Sequence, residues 1–282
     1  MILVFGKTGQ VSKEIQIIED VIAIGRDIAD LSNPSECKSA IKNYLPSVVI
    51  NAAAYTDVDK AEQEESLATS INGHAPTVMA KTCSNLNIPF IHISSDYVFN
   101  GMGSQPWQSD DNPSPQNAYG RSKLIGEIGI KNSGANYVIL RTSWVVSKYG
   151  NNFIKAMLTL SEKRNVLNIV ADQIGGPTPA YDIALACLEI AKQLKNDSSK
   201  SNTYHFSGYP DVSWAEFAFE IFKQVKKDIN IIPIPSTDYP TPAPRPLNSR
   251  MDCRDINKIF GIQRPDWRLG LKNILKDLEV KL

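Results

Sequence analysis

Neither sign of charge is in excess: Lys and Arg number 30, Asp and Glu number 30, and no basic stripe runs along any segment. The electrostatic footprint of a nucleic-acid binder is therefore missing, and neither DNA nor RNA is expected as a partner. Long apolar runs are missing too. No stretch approaches the ~18 apolar residues of a membrane span, and Met1 to Gly6 lacks the basic start of a secretion signal, so the expectation is a cytoplasmic protein without a membrane partner. Cysteine and histidine are sparse. Cys37, Cys83, Cys187 and Cys253 show no CxxC spacing, and His74, His92 and His205 are scattered, so neither a disulfide framework nor a metal site is suggested. The thiols read as reduced and buried, the histidines as satisfied core or surface groups.

What is present is an ordinary globular composition, 42% hydrophobic and 21% charged, which excludes a disordered chain, a coiled coil or a collagen-like repeat. The 282 residues suffice for a dinucleotide-binding domain with a smaller lobe. Short β-branched runs at 2–5, 21–24, 48–51, 90–94 and 137–141 alternate with helical patterns at 34–44, 61–68 and 76–86. Continuous apolar strands separated by helices imply a parallel sheet covered on both faces, a doubly wound α/β fold of Rossmann type. A further amphipathic helix is expected over 180–194, a last strand over 203–206 and a closing helix over 267–282. The expected division is a nucleotide-binding domain over 1–148, to which 166–209 returns, and a C-terminal substrate-binding lobe from 149–165 and 210–282.

Between 231 and 246 stand Pro233, Pro235, Pro240, Pro242, Pro244 and Pro246. They disfavour a helix or central strand and imply an extended path. The stretch is too long for a simple connection, so it reads as a loop on the substrate side.

The first strand runs into Gly6-Lys7-Thr8-Gly9-Gln10-Val11-Ser12. Glycines there permit a tight turn and let the backbone approach a pyrophosphate at a helix N-terminus, with Ser12 standing where a third glycine is usual. After the second strand, Arg26 can pair with a 2′-phosphate, which favours NADPH; the neighbouring Asp27 and Asp30 leave NADH open. Farther on, Tyr119 and Lys123 are four apart and share one face of a helix. A phenol with a reference pKa of ~10 needs a nearby cation to exchange a proton near neutral pH, and Lys123 supplies one. Ser95, at the end of a strand, can donate a second hydrogen bond to a developing alkoxide.

A YxxxK match alone is weak, but its order is not: a Gly-rich turn, then Asn51-Ala52-Ala53-Ala54 after one strand, Ser94-Ser95-Asp96 after another, then YxxxK. In this order the chain resembles the extended short-chain dehydrogenase/reductase superfamily, and within it the dTDP-4-dehydrorhamnose reductases. The resemblance covers nearly the whole length. It is carried further by 51–62, 94–101, 119–127, Arg141 to Trp144, Asn152-Phe153, Asp172-Gln173, Gly176 to Thr178 and Arg245 to Arg250.

The resemblance implies NADPH-dependent reduction of the C4 carbonyl of dTDP-4-dehydro-L-rhamnose, with Tyr119, Lys123 and Ser95 catalytic. Gly6, Gly9, Gln10 and Val11 would meet the pyrophosphate, Arg26 and Asp30 the adenosine ribose, Ala53, Ala54 and Tyr55 the cofactor's flank, and Lys123 the nicotinamide ribose. Substrate contacts would fall on Ser95, Asp96, Trp144 and Asn152, while Arg245 and Asn248, with Arg250, could clamp the nucleotide. From position alone, Trp144 is equally a core aromatic, Asp96 a turn cap and Asn51 a structural group. The chain departs from the family in having Ser95 where Thr is commoner and Asn100 where Asp is usual; the hydroxyl is kept. Some relatives hold magnesium at a dimer interface, and Glu14 matches one such position, but no others can be placed, so no metal is expected. A homodimer is allowed. Two alternatives stay open: a reductase of another nucleotide-linked 4-keto-6-deoxyhexose, and a noncatalytic NADP-binding regulatory subunit like that of methionine adenosyltransferase.

Overall fold

The structure is a computed structural model and describes residues 1–280. The chain begins with β1 (Ile2–Phe5), α1 (Gln10–Ile18), β2 (Ile22–Ile24), α2 (Pro34–Tyr44) and β3 (Val48–Asn51). Two short helices, α3 (Val58–Ala61) and α4 (Glu65–Thr69), lead through a single π-helical turn at Ser70–His74 into α5 (Ala75–Asn85). Then come β4 (Phe90–Ser95), α6 (Ala118–Lys131) and β5 (Tyr137–Thr142).

The second half contains β6 (Val145–Val146), α7 (Phe153–Ser161), β7 (Val166–Val170), β8 (Ile174–Gly175), β9 (Thr178–Pro179), α8 (Ala180–Leu194) and β10 (Asn202–His205). It closes with β11 (Val212–Ser213), α9 (Trp214–Gln224), β12 (Asn230–Ile234), β13 (Asn248–Ser249), α10 (Arg254–Phe260) and α11 (Trp267–Asp277).

Six strands form one parallel sheet in the order β10-β5-β4-β3-β1-β2. Every residue of β3 is buried, as a strand covered on both faces requires. One face packs against α1 and α8 through Val4, Ile50, Ile15 and Ile183; the other packs against α2 and α5 through Leu3, Val49, Ile41 and Met79. Each such side chain contributes roughly 1.5–3 kcal/mol on burial. The chain passes from β1 to β2 on one side and from β3 onward on the other, so the carboxyl ends of β1 and β3 flank a topological switch point, where open α/β sheets bind ligands.

A second core gathers Met157, Leu167, Ile169, Phe217, Ile221, Trp267 and Leu271 from α7, β7, α9 and α11. The sequence places 166–209 with the first domain, but β7 pairs in parallel with β12 and buries Leu167 and Ile169 here. The return begins at α8, which packs on the sheet, and ends with β10 on β5. Residues 251–260 also return, since Met251, Ile256 and Phe260 join the first core.

Three local expectations are adjusted. The helix expected over 61–68 is two helices; Asp57 caps the first by accepting from Lys60 N, and each buries one small residue, Ala61 and Ala68, beneath Ala118. Pro233 lies inside β12, which is possible because that strand pairs only with β7 and needs no N–H on its free edge. The closing helix ends at Asp277, and the last two residues of the range 267–282 lie outside the described residues. No helix among the described residues is long and apolar enough to cross a membrane.

Candidate active site

Ser95 ends β4 and Tyr119 opens α6. What brings them together is Gly120: a Cβ there would run into the Tyr97 carbonyl oxygen, so only glycine lets the first turn of α6 lie on the turn that follows β4. Asn117 caps the helix, accepting from Gly120 N at 2.8 Å. The Tyr119 phenol lies beside the Ser95 hydroxyl and rests edge-on against Tyr97, with ring centroids 5.4 Å apart. Burial pushes its pKa up to about 12, with the Ser95 contact pulling it down. The phenol is thus a proton holder, suited to giving its proton to an oxygen that becomes more basic than itself.

One turn on, Lys123 is buried, donates to the Ile93 carbonyl at 2.7 Å, and has its Nζ 3.3 Å from His92 Nε2. Burial pulls its pKa down to about 8, while the Glu127 carboxylate pushes it up. Glu127, buried one turn farther, forms an ion pair with the buried Arg141 of β5 at 2.6 Å and accepts from Ser94 Oγ at 2.6 Å. Arg141 Nη1 donates to Ser109 O, and His205 Nδ1 lies 3.0 Å from Trp107 O, so the pair ties α6 to the segment after β4.

Asp96 follows Ser95. Its carboxylate accepts from Ser95 Oγ at 3.0 Å and from Ser249 Oγ of β13 at 2.5 Å. Burial raises its pKa to about 6, against the pull of the hydrogen bonds from Ser249, Ser95 and two backbone amides.

The Gly-rich turn has the form expected. Gly6, with φ of 98°, lies so close to β3's exit that a Cβ would stand 2.9 Å from Ala53 N. Gly9 forms the N-cap of α1, where no side chain covers the helix end. A cradle that a Cβ would fill, beneath an uncapped helix N-terminus, fits a dinucleotide pyrophosphate. Ser12, in the place of the third glycine, is buried and its Oγ accepts from Gln16 Nε2 at 3.3 Å, so the extra atoms are absorbed within α1. At the end of β2, the Arg26 side chain is 81% exposed and 3.9 Å from Asp30, while Asp30 accepts from Ser32 N. Tyr55 lies beyond Ala53 and Ala54, and its hydroxyl donates to Glu64.

Trp144 leaves β5 with φ of 49°, a strained backbone for a tryptophan, of the kind that clusters at functional sites. Its ring stacks on Trp214 with centroids 3.5 Å apart and planes 8° apart, and Phe153 tilts against the far partner. Position left Trp144 between core and platform; the structure makes it half of a two-ring deck. Trp214 escaped the sequence reading, although Ser213 and Glu216 form a capping box that announces a helix start there.

Three expected substrate contacts are engaged by the protein itself. Arg245 is paired with Asp59 at 2.7 Å and also donates to Ala243 O. Asn248 is 2% exposed, with its amide nitrogen on Gln105 O at 2.8 Å and its oxygen accepting from Arg250. Asn152 caps α7 by accepting from Lys155 N, and donates to Ser147 O and Gln10 Oε1. It therefore ties α7 to the phosphate turn. Glu14 is buried against Ser147, and no cluster of metal-ligating residues occurs among the described residues. An open cleft of about 700 Å³ between Gln105, Gln108, Arg254 and Arg264 contains none of the candidate site residues.

Residues 1–280 match the family described as RmlD substrate binding domain. The chain belongs to that family. A relative from Sinorhizobium fredii, named dTDP-4-dehydrorhamnose reductase, is 38% identical over 96% of this chain and 95% of its own. Among solved structures, the dTDP-4-dehydrorhamnose reductase of Clostridium acetobutylicum superposes with a TM-score of 0.92 at 34% identity over 99% of each chain. That of Bacillus anthracis, solved in complex with NADP, gives 0.90 at 33% identity over 98% of each. The whole chain, and not the nucleotide-binding half alone, is therefore similar to these reductases.

Proposed function

We propose that this member of the family reduces the C4 carbonyl of dTDP-4-dehydro-L-rhamnose to give dTDP-L-rhamnose, with NADPH as the reductant. The observation that carries the reading is the convergence of Tyr119, Ser95 and Lys123 at the carboxyl end of β4. When bound, NADPH supplies the hydride. Tyr119 gives its proton to the carbonyl oxygen as that oxygen gains charge, and Ser95 donates a hydrogen bond to the same atom. Lys123 holds the nicotinamide ribose and keeps a positive charge near the phenol that has lost its proton. Gly6, Gly9, Gln10 and Val11 receive the pyrophosphate, Arg26 the 2′-phosphate, and Ala53, Ala54 and Tyr55 flank the cofactor. Arg26 suits that role because its guanidinium is almost free of the protein.

Asp96 and the Trp144 ring face the sugar in this reading. Asn152, Arg245 and Asn248 act indirectly, by holding the phosphate turn, the proline-rich segment and the 101–105 loop in place. The substrate side is built from α7, α9, α11 and the segments that carry Trp144, Trp214 and Ser249. Residence in the cytosol and association into a homodimer belong to the same reading, and sedimentation velocity checks the latter.

Tyr119→Phe removes the proton donor and little else. Its kcat should fall by about 10²- to 10⁴-fold while NADPH still binds, read as fluorescence enhancement of the nicotinamide. Near-normal turnover in that variant would remove Tyr119 from the role.

A further inference from the structure

We propose that Asn51 and His92 form a buried relay that biases the charge state of Lys123: Asn51 sets the His92 ring with its proton on Nε2, and this N–H faces the lysine nitrogen. The inference rests on the reading of Lys123 as the group beside Tyr119 and deepens it.

The argument is a donor and acceptor count. Asn51 ends β3, and its Oδ1 accepts from the backbone N–H of Ala53 at 3.1 Å. That fixes which way the amide points. Its Nδ2, a donor only, then faces His92 Nδ1 at 3.1 Å, so Nδ1 must be the bare, accepting nitrogen. His92 is fully buried on β4, and burial with the nearby Lys123 charge holds its pKa well below the usual histidine value. A neutral ring has one proton, and with Nδ1 accepting, that proton lies on Nε2.

Nε2 stands 3.3 Å from Lys123 Nζ. An ammonium has three donors and no lone pair, so it meets the Nε2–H as donor against donor. A neutral amine accepts that hydrogen and still donates to Ile93 O, 2.7 Å away. The relay therefore weighs against the ammonium, so that Lys123 gives up at lower pH the charge that supports Tyr119. Loss of the proton moves one H⁺ from Nζ to solvent and forms the Nε2–H···Nζ hydrogen bond; no other bond changes.

The remaining ionisable groups around Lys123 do not substitute for this relay. Glu127 on the same helix favours the ammonium, but its carboxylate is already shared by Arg141 of β5 and Ser94 of β4. Near Ser95, burial raises the pKa of Tyr119, Tyr97 and Asp96, and both phenols stay neutral as Lys123 titrates near pH 8. The arrangement makes the charge of Lys123 adjustable close to working pH. It also gives the pair Asn51 and His92, which the sequence presents as structural, a positioning role in catalysis.

Two measurements on the cofactor-free protein test this, so that failure here is separate from failure of sugar turnover. In ¹⁵N-labelled protein, the His92 ring should be neutral, with Nε2 protonated and Nδ1 bare, from pH 6 to 9. A ring protonated on Nδ1, or on both nitrogens, overturns the relay. In Asn51→Leu, nothing holds Nδ1 as acceptor, so the ring can switch tautomer and offer Nε2 to the ammonium. The Lys123 titration, followed by the ¹³C shift of its Cε, should then move upward from about 8 by on the order of one pH unit. An unchanged Lys123 midpoint in folded Asn51→Leu contradicts the proposal; if that variant does not fold, the tautomer in the natural protein decides.

Discussion

Asp96 shows how one buried carboxyl links stability to the site. Its pKa in the folded protein, about 6, exceeds the ~3.9 of an unfolded chain, so the native state disfavours the ionised form. The sign follows from linkage. Above about pH 6 the ionised carboxylate weighs against folding, and this is relieved as pH falls from 6 toward 4, because the folded protein binds the proton first. Asp182, also raised to about 6 by burial, adds a contribution of the same sign, so wild type must be compared with Asp96→Asn. The stability of wild type relative to that variant should rise by up to about 2 kcal/mol between pH 7.5 and 4.5, measured by urea denaturation. A difference that is flat with pH would contradict the assignment. The residues themselves were legible from motif order; their states were not, because burial and partners such as Ser249 come from segments more than a hundred residues away.

At the scale of elements, α6 is held at its start by distant chain. Asn117 caps α6 with Oδ1 and donates from Nδ2 to Pro244 O at 2.8 Å. Ala118 N donates to Glu62 at 2.7 Å, and Asp59 holds both Arg245 and Ala243 N. The proline-rich segment is therefore anchored over the N-terminus of α6 and the short helix α3. Asn117→Ala should cost about 1 kcal/mol in urea denaturation for the cap, and should speed proteolysis within 239–246. Unchanged cleavage would mean that the segment does not depend on this anchor.

Elements with a full amphipathic period, such as 34–44 and 180–194, were legible to the residue. The range 61–68 was not, since two short helices with a break between them read as one. β7 was not read as a strand, and its range was assigned to the first domain, because a five-residue run interrupted by Asn168 does not say which sheet it joins.

For the whole molecule, the account places the chemistry at the switch point of the parallel sheet, with the second core supplying the wall opposite. The ordering of Gly6 to Ser12, Ser95, Tyr119 and Lys123 along a βαβ series made the first half readable from sequence. The candidate site residues of the second half were readable only through resemblance, and geometry redistributed them. Trp214 joins Trp144, whereas Arg245 and Asn248 are taken up by Asp59 and Gln105. The most direct test is to supply dTDP-4-dehydro-L-rhamnose, generated in place from dTDP-glucose by the preceding dehydratase and epimerase, and to follow NADPH and NADH oxidation alongside the product sugar. The account predicts one NADPH consumed per dTDP-L-rhamnose formed, with NADH the poorer reductant. Bound NADPH that is not oxidised, or a different 6-deoxyhexose as product, would contradict it.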